Sequence, residues 1–345
     1  MCLLTRRLTC MDRLMTMATR TRVELGMDYR QVGTTDVQLS VIGLGGAWLG
    51  HDLSDPTHVP TAIDVLRAVH DCGVNWLDTS ENYYDTGNEA VIGVALRELD
   101  DSFLVCSKAA PGAVHSGGGS GFRPEQIRRA CEESLRRLGR EHIDMYLLHW
   151  PDDTGVPLAD TWEAMASLVT EGLVRSIGLS NYDREDMARC HEQRPVDAIQ
   201  TGLNVIEYLE DRGMIAWCGE QGIAVTIYEP MASGILTDAP IAEVRDHWRG
   251  SPWEDSEFFQ VVLAPGNDER WERVTSALRA IGQEVGATTA QVAVAWVLRQ
   301  PGVSAAIAGS SNPDRARQNA QAADVMLTDD MLDAIEDLIP VADTA

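Results

Sequence analysis

Lysine is almost absent from this 345-residue chain: of its 28 basic side chains, only Lys108 is a lysine. Basic residues are scarce as a class, because 53 acidic side chains leave a formal net charge of −25. That balance excludes a nucleic-acid or anionic-membrane surface, both of which need a Lys/Arg excess to displace counterions from phosphates. No stretch approaches the roughly 20 apolar residues of a membrane span, so none is expected. The seven cysteines (2, 10, 72, 106, 131, 190 and 218) are odd in number, scattered and without a C-x-x-C pair. They suggest neither a disulfide framework nor a zinc site, no metal is expected, and a reducing cytoplasm fits best. A secretory signal is not expected either, since Arg6, Arg7, Arg13, Arg20 and Arg22 interrupt residues 1–26 before a sufficient apolar run develops. Residues 1–26 are expected to be a disordered extension or to follow a start placed too early, with Met17 and Met27 as candidate starts. Residues 27–345 are expected to form one domain.

What is present is globular: 44% hydrophobic and 23% charged residues. Small molecules are the expected partners, and monomer and homo-oligomer both stay open. An anionic cofactor remains compatible with the acidic surface, because a few arginines and backbone N–H groups can build a local positive site. From residue 41 onward short apolar runs alternate with amphipathic segments. Strands are predicted at 41–45, 74–79, 103–108, 143–150, 174–181, 198–204, 223–229 and 303–309. Helices are predicted at 60–72, 88–99, 124–138, 158–171, 184–193 and 212–221. Glycines just past several of these helices suit the left-handed closing position, and Pro60, Pro124, Pro157 and Pro313 sit where first-turn prolines are tolerated. Eight strands alternating with helices predict an α/β fold, a closed (β/α)8 TIM barrel. A β-hairpin at 28–40 could plug the barrel's N-terminal end. A long loop after strand seven, 232–270, rich in Pro, Gly and Trp, reads as a lid over the active site.

Catalytic groups in such a barrel come from the C-terminal ends of the strands. Read in order, those ends carry Trp48, Asp78 with Tyr83, Lys108, His149, Ser180 with Asn181, Gln200, Tyr228, and Gly309 with Ser311. Arginine replaces lysine everywhere but at Lys108, which argues for a role needing a compact ammonium of adjustable pKa; survival by chance is the bland alternative. A lysine cation near Tyr83 is expected to stabilise its phenolate and ease proton transfer, with Asp78 holding the lysine charged. Asp78 alone reads equally well as a helix cap or a turn residue. His149 alone reads as a hydrogen-bonded structural histidine; beside a tyrosine acid and a lysine it reads as orienting a substrate carbonyl.

Six segments, GLGGAWLG (43–50), LDTSENYYDTGNEAVIG (77–93), VCSKA (105–109), DMYLLHWPD (144–152), GLVRSIGLSNY (172–182) and AGSSNPDRARQN (308–319), together resemble the aldo-keto reductase family in order and spacing. The resemblance runs from about residue 28 to 340. It is closer to the branch of potassium-channel β subunits and bacterial sugar or aldehyde reductases. It implies Asp78, Tyr83, Lys108 and His149 as a catalytic tetrad, and hydride transfer from NADPH to a carbonyl carbon with Tyr83 protonating the oxygen. By the same resemblance Asn181 and Gln200 hold the nicotinamide carboxamide, with Ser180 beside them, and Tyr228 stacks on the ring. Ala47, Trp48 and Asp78 also contact the cofactor, as do Glu229, Pro230, Met231 and Ala232. Gly309, Ser311, Arg315, Gln318 and Asn319 grip the adenosine end, where Arg315 favours a 2′-phosphate. Two departures stand out. Glu229 follows the stacking aromatic where a serine is common, and Thr237, Asp238 and Ala239 replace the usual Gly-Lys after strand seven. Arg245 and Arg249 are candidates to replace that lysine.

GLGGAWLG lacks the third glycine and the immediate helix of a Rossmann fingerprint. A Schiff-base enzyme using Lys108 is a rival reading. Others are a sugar (lactol) dehydrogenase running in the oxidative direction and a cofactor-binding regulatory subunit with slow turnover. Trp48, Tyr84 and Trp150, with the 232–270 segment, are expected to line an apolar, aromatic pocket for aldehydes, ketones or sugar carbonyls. Trp150 could equally be a core residue.

Overall fold

The computed structural model describes residues 26–99, 103–110, 121–206, 212–249, 254, 260 and 262–339. The predicted extension, apart from residue 26, lies outside these, as do Cys2, Cys10, Trp253 and several other positions of the 232–270 segment.

Strands β1 (Tyr29–Gln31) and β2 (Gln38–Ser40) pair antiparallel as the expected hairpin, with Tyr29 opposite Ser40. The chain then alternates β3 (Ile42–Gly45), α1 (His58–His70), β4 (Trp76–Asp78), α2 (Gly87–Arg97), β5 (Leu104–Ala109), α3 (Pro124–Leu138), β6 (Ile143–Leu148), α4 (Leu158–Thr170), β7 (Val174–Ser180), α5 (Arg184–Gln193), β8 (Ala198–Gly202), α6 (Arg212–Gln221) and β9 (Ala224–Tyr228). Among the described residues before the last strand lie α7 (Ile241–Trp248), α8 (Asp268–Val285) and α9 (Thr289–Leu298). Strand β10 (Val303–Gly309), α10 (Pro313–Ala320) and α11 (Asp329–Glu336) complete the described chain. Strands β3 to β10 are all parallel and close in chain order, with β10 returning to β3 through the Gly309–Gly45 register. This is the (β/α)8 barrel.

The strand pattern explains the closure. Every residue of β6 is buried, because odd positions such as Met145 and Leu147 fill the barrel while Ile143 is shared with Tyr146 and Leu148 in the layer under the helices. Strands covered on both faces read as continuous apolar runs rather than alternating ones. At the floor, Val32, Val37 and Leu39 of the hairpin join Trp76, Met145, Leu147, Ala305 and Ile307 in one apolar cluster. Trp76 is fully buried there, its indole Nε1 donating to Ser40 O at 2.9 Å. The ring lies so close to β3 that a Cβ on Gly43 would come within 2.2 Å of it, so only glycine fits opposite. The hairpin therefore plugs the N-terminal end and leaves the opposite rim for polar groups.

The 232–270 segment is less open than a loop reading suggests. Ile241, Val244 and Trp248 recur at helical spacing and are buried, so α7 packs down on the barrel. Helix α9 opens with a capping box in which Thr288 and Gln291 satisfy each other's backbone N–H groups. Among the described residues no helix is long and apolar enough to cross a membrane.

Candidate active site

Asp78 ends β4 and pairs with Cys106 of β5, so two residues further along the same face of β5 the Lys108 side chain also points into the barrel. Its ammonium is fully buried and uses all three of its protons: to Asp78 Oδ1 at 2.7 Å, Thr79 O at 2.9 Å and the Tyr83 hydroxyl at 3.3 Å. Burial works against the charged amine, yet the Asp78 and Tyr83 charges outweigh it and hold Lys108 above its ordinary value. At Tyr83 two influences compete. Burial raises its pKa, the Lys108 charge opposes this, and burial prevails, so the phenol is less acidic than a free tyrosine. The lysine pulls in the expected direction, but removing a phenolate from water costs more.

His149 lies one residue past β6, with its ring stacked on Trp150 at 3.6 Å and edge-on to Tyr83 at 5.8 Å. Its Nδ1 is 3.0 Å from both Ser80 Oγ and Asn82 Oδ1. Beyond it, Asn181 adopts a left-handed φ of 62°, which asparagine tolerates better than most residues. Its amide nitrogen donates to His149 O and Ser180 Oγ, and its oxygen accepts from the Tyr228 hydroxyl at 2.7 Å. Gln200 Nε2 donates to the second Asp78 oxygen at 2.8 Å. Asp78, Tyr83, Lys108, His149, Ser180, Asn181, Gln200 and Tyr228 thus form one connected rim.

Comparison with known proteins decides what kind of rim this is. A profile of the aldo/keto reductase family matches residues 41–340. The chain belongs to that family. An NADH-specific methylglyoxal reductase of Escherichia coli (strain K12) is 28% identical over 322 residues, covering 86% of this chain and 94% of that protein. Among solved structures, the glycerol dehydrogenase AKR11B4 from Gluconobacter oxydans superposes with a TM-score of 0.74 at 26% identity, covering 92% of this chain and 98% of that one. An aldo/keto reductase from Klebsiella pneumoniae, in complex with NADP and acetate, gives 0.67 at 30% identity, covering 90% and 95%.

For an aldo/keto reductase, the residues expected around the cofactor are distributed over several loops. Tyr228 packs against Gly202, where a Cβ would meet its ring at 2.9 Å, so a bare backbone leaves room for the aromatic side chain. Glu229, Pro230, Met231 and Ala232 follow in a tight turn, with left-handed backbone at Glu229 and Ala232. Gly309 packs against Gly45 and Trp48, and beyond it come exposed Ser311 and the start of α10, where Asn312 caps Arg315 N–H at 3.0 Å. Arg317 is tied to Asp314, whereas Arg315 is exposed and, among the described residues, in no ion pair. Gln318 is exposed except that its carbonyl accepts from Gln291, and Asn319 is buried. An anionic nucleotide fits this end: a helix N-terminus with an uncommitted guanidinium in its first turn.

Neither arginine suggested as a substitute for the missing lysine is uncommitted. Arg245 donates to Leu263 O at 2.8 Å and pairs with Asp268, and Arg249 pairs with Asp246 at 3.0 Å. Asp238, within the Thr237 to Ala239 stretch that stands where Gly-Lys is usual, is bonded to Arg279 and Thr289. The predicted pocket aromatics fall on three loops: Ala47 and Trp48 follow β3, with Trp48 edge-on to Trp248 of α7 at 5.1 Å. Tyr84 stacks on His51 at 4.1 Å, and Trp150 stacks on His149. Sequence reading missed Ser80, Asn82 and His51 as neighbours of the rim, whereas His247 and Trp248 lie in the segment expected to line the pocket. Ser80 and Asn82 were legible in principle, since both flank the tyrosine in LDTSENYY. Among the described residues no disulfide is formed, and no cluster of three His, Cys, Asp or Glu could hold a metal.

Proposed function

We propose that this chain is an NADPH-preferring carbonyl reductase, acting on aldehydes, ketones or sugar carbonyls, with Tyr83 as the proton donor. One observation carries the reading: a single buried ammonium is shared between the Asp78 carboxylate and the Tyr83 hydroxyl. Asp78 keeps Lys108 charged in a place where a lone ammonium would lose its proton. Burial keeps the proton on Tyr83 until a carbonyl oxygen that is gaining negative charge can take it. Lys108 then stabilises the phenolate left behind, an attraction that is largest in the transition state and so lowers the barrier. His149, packed between Trp150 and Tyr83, orients the substrate oxygen. A bound nicotinamide supplies the hydride. Ser180, Asn181, Gln200 and Tyr228 would hold its ring, and Gly309, Ser311, Arg315, Gln318 and Asn319 its adenosine end.

The preference for NADPH rests on Arg315, whose planar guanidinium can pair bidentately with a 2′-phosphate. The NADP complex of the Klebsiella relative supports this choice, and the E. coli relative named NADH-specific supplies the competing one. The test is oxidation of NADPH and of NADH against a panel of aldehydes, ketones and sugars. Tyr83→Phe is expected to lower turnover about 10²- to 10⁴-fold; turnover within a few-fold of the parent would remove the proposed acid. Arg315→Leu is expected to raise the KM for NADPH about tenfold or more while sparing NADH, the loss of a charge-assisted pair. An equal effect on both nucleotides would move the preference elsewhere. The glycerol dehydrogenase relative favours a second reading, oxidation of a polyol or lactol by the same residues in reverse. The ratio of kcat/KM for alcohol and carbonyl partners of one substrate pair decides between them.

A further inference from the structure

Directly behind Tyr83, three residues in a row hold left-handed backbone: Tyr84, Asp85 and Thr86, at φ 50°, 51° and 75°. None is a glycine, and a β-branched threonine is among the residues that this region suits least. Such a run persists only where the surrounding structure fixes it, and here each end has an anchor. On the near side the β4–β5 ladder continues past the end of β4: Thr79 N–H donates to Cys106 O at 2.8 Å and Glu81 N–H to Lys108 O at 3.4 Å. The next rung of a parallel ladder would join Ala110 N–H to the Glu81 carbonyl. The Glu81 carboxylate takes that proton instead. It ends the ladder and lets the main chain turn off two residues before Tyr83, whose own N–H closes on Ser80 O at 3.2 Å. On the far side Asn88 is fully buried, its Nδ2 donating to Gly46 O at 2.9 Å and Gly50 O at 2.8 Å while its Oδ1 accepts from the Thr79 hydroxyl at 2.7 Å. Two carbonyls can only accept, so they fix which way this amide points. Gly87 beside it packs on the His51 carbonyl, where a Cβ would come within 2.0 Å.

From this we propose that Glu81 and Asn88 are positioning residues, which clamp the strained arch between them and so hold the Tyr83 hydroxyl against the Lys108 ammonium. Released at either end, the arch relaxes toward right-handed or extended backbone and carries the phenol with it. A clamp of this kind acts on the chemical step, because a misplacement of about 1 Å can cost on the order of 10²-fold in rate. Nucleotide binding is spared, since Asn181, Gln200 and Tyr228 stand on or beside β7, β8 and β9. The clamp stands on geometry alone; its effect on turnover rests on the tyrosine-acid reading above.

The test has two arms, both on the full-length protein. In the kinetic arm, Glu81→Leu removes the acceptor for Ala110 N–H and is expected to lower kcat about tenfold or more, with KM for the nucleotide near that of the parent. Glu81→Gln keeps an oxygen for that proton and should retain most of the parent kcat. The Thr86 side chain makes no capping hydrogen bond, so Thr86→Gly lowers the cost of left-handed backbone and should restore part of the kcat lost in Glu81→Leu. A Gln variant as slow as the Leu variant, a loss confined to KM, or no recovery with glycine overturns the inference. Should Glu81→Leu not fold, the smaller Glu81→Ala is read in the same way. Asn88→Asp sets an oxygen against two carbonyls and should lower kcat likewise; parent-like turnover would remove the far anchor. In the second arm, amide hydrogen exchange over residues 79–90 is expected to quicken in Glu81→Leu and to return toward the parent when Thr86→Gly is added. Exchange that does not respond overturns the clamp whatever the activity. Absence of turnover with any carbonyl or alcohol sinks the proposed function, while the exchange arm still decides the clamp.

Discussion

Ser107 and Lys108 are adjacent on β5 and serve opposite faces of the barrel wall. Lys108 points in and joins Asp78, Tyr83 and Gln200. Ser107 points out beneath the helices, where its hydroxyl donates to Glu89 at 2.6 Å and Arg137 Nε closes on the same carboxylate at 2.7 Å. Each neighbour touches a buried ion pair, Lys108 as a member of one with Asp78 and Ser107 as a partner of the Glu89–Arg137 pair, and both pairs take charges out of water. They differ in what completes them. The outer pair is closed by fixed partners: Glu89 has no exposed side-chain surface, and Arg137 also reaches Ser134. The inner pair ends in a phenol that keeps some surface at the rim. Burial and charge alone do not make a site; a buried pair becomes chemistry where one member can still reach a ligand.

If that contrast is right, breaking each pair should harm a different property. Lys108→Met should cost the most, about 10²- to 10⁴-fold in kcat/KM, because the phenolate loses its counter-charge and Asp78 loses its cation. Nicotinamide-nucleotide affinity, followed by fluorescence, should change only a few-fold. Loss of both together would mean that Lys108 supports the architecture rather than the reaction. Arg137→Met should instead lower stability by about 3–5 kcal/mol in denaturant unfolding, the cost of stranding a buried charge. Its folded fraction should turn over within a few-fold of the parent. A large loss of turnover in well-folded Arg137→Met would erase the distinction between the faces.

The two networks also show what sequence carries. Eight apolar runs gave the barrel because strands covered on both faces must be apolar throughout, and the rim residues followed because polar groups at strand ends are costly without a purpose. The lone lysine stood out by rarity alone. The partners in three dimensions were not legible: Glu89 and Arg137 lie 48 residues apart, and Asn82 and His149 67 apart. Helix α7 was hidden in a Pro- and Gly-rich stretch because its three apolar contacts span only two turns. The effect of burial on Tyr83 was not legible, because a lysine is visible in sequence whereas desolvation is a property of the closed rim.

Glu81 sharpens the comparison, because it belongs to both faces. Its backbone N–H donates to Lys108 O, on the strand that carries the ammonium, and its carboxylate accepts from Ala110 N–H. The charged and titratable groups around that carboxylate come from three elements: Glu89 on α2, Arg137 and Glu133 on α3, and the buried Tyr146 phenol on β6. Burial is the strongest influence. Glu89 and Glu133 add to it, the Ala110 bond and Arg137 oppose it, and the carboxyl is pushed from 4.5 up to about 7. A raised carboxyl pKa means that the folded chain holds this proton more tightly than the unfolded one. The contribution to stability is therefore complete below the unfolded value and is lost as pH rises through about 7. The whole effect is about 3 kcal/mol. Glu81→Gln keeps an oxygen for Ala110 N–H and removes the titration, so the fall in stability between about pH 5 and pH 8 should flatten and the variant should be the more stable protein at the alkaline end. Parallel unfolding curves for parent and variant across that range would mean that the Arg137 pairing at 3.9 Å, rather than burial, governs this carboxyl. In that case the wall network would reach into the loop that carries Tyr83, and the two faces of β5 would be one electrostatic unit.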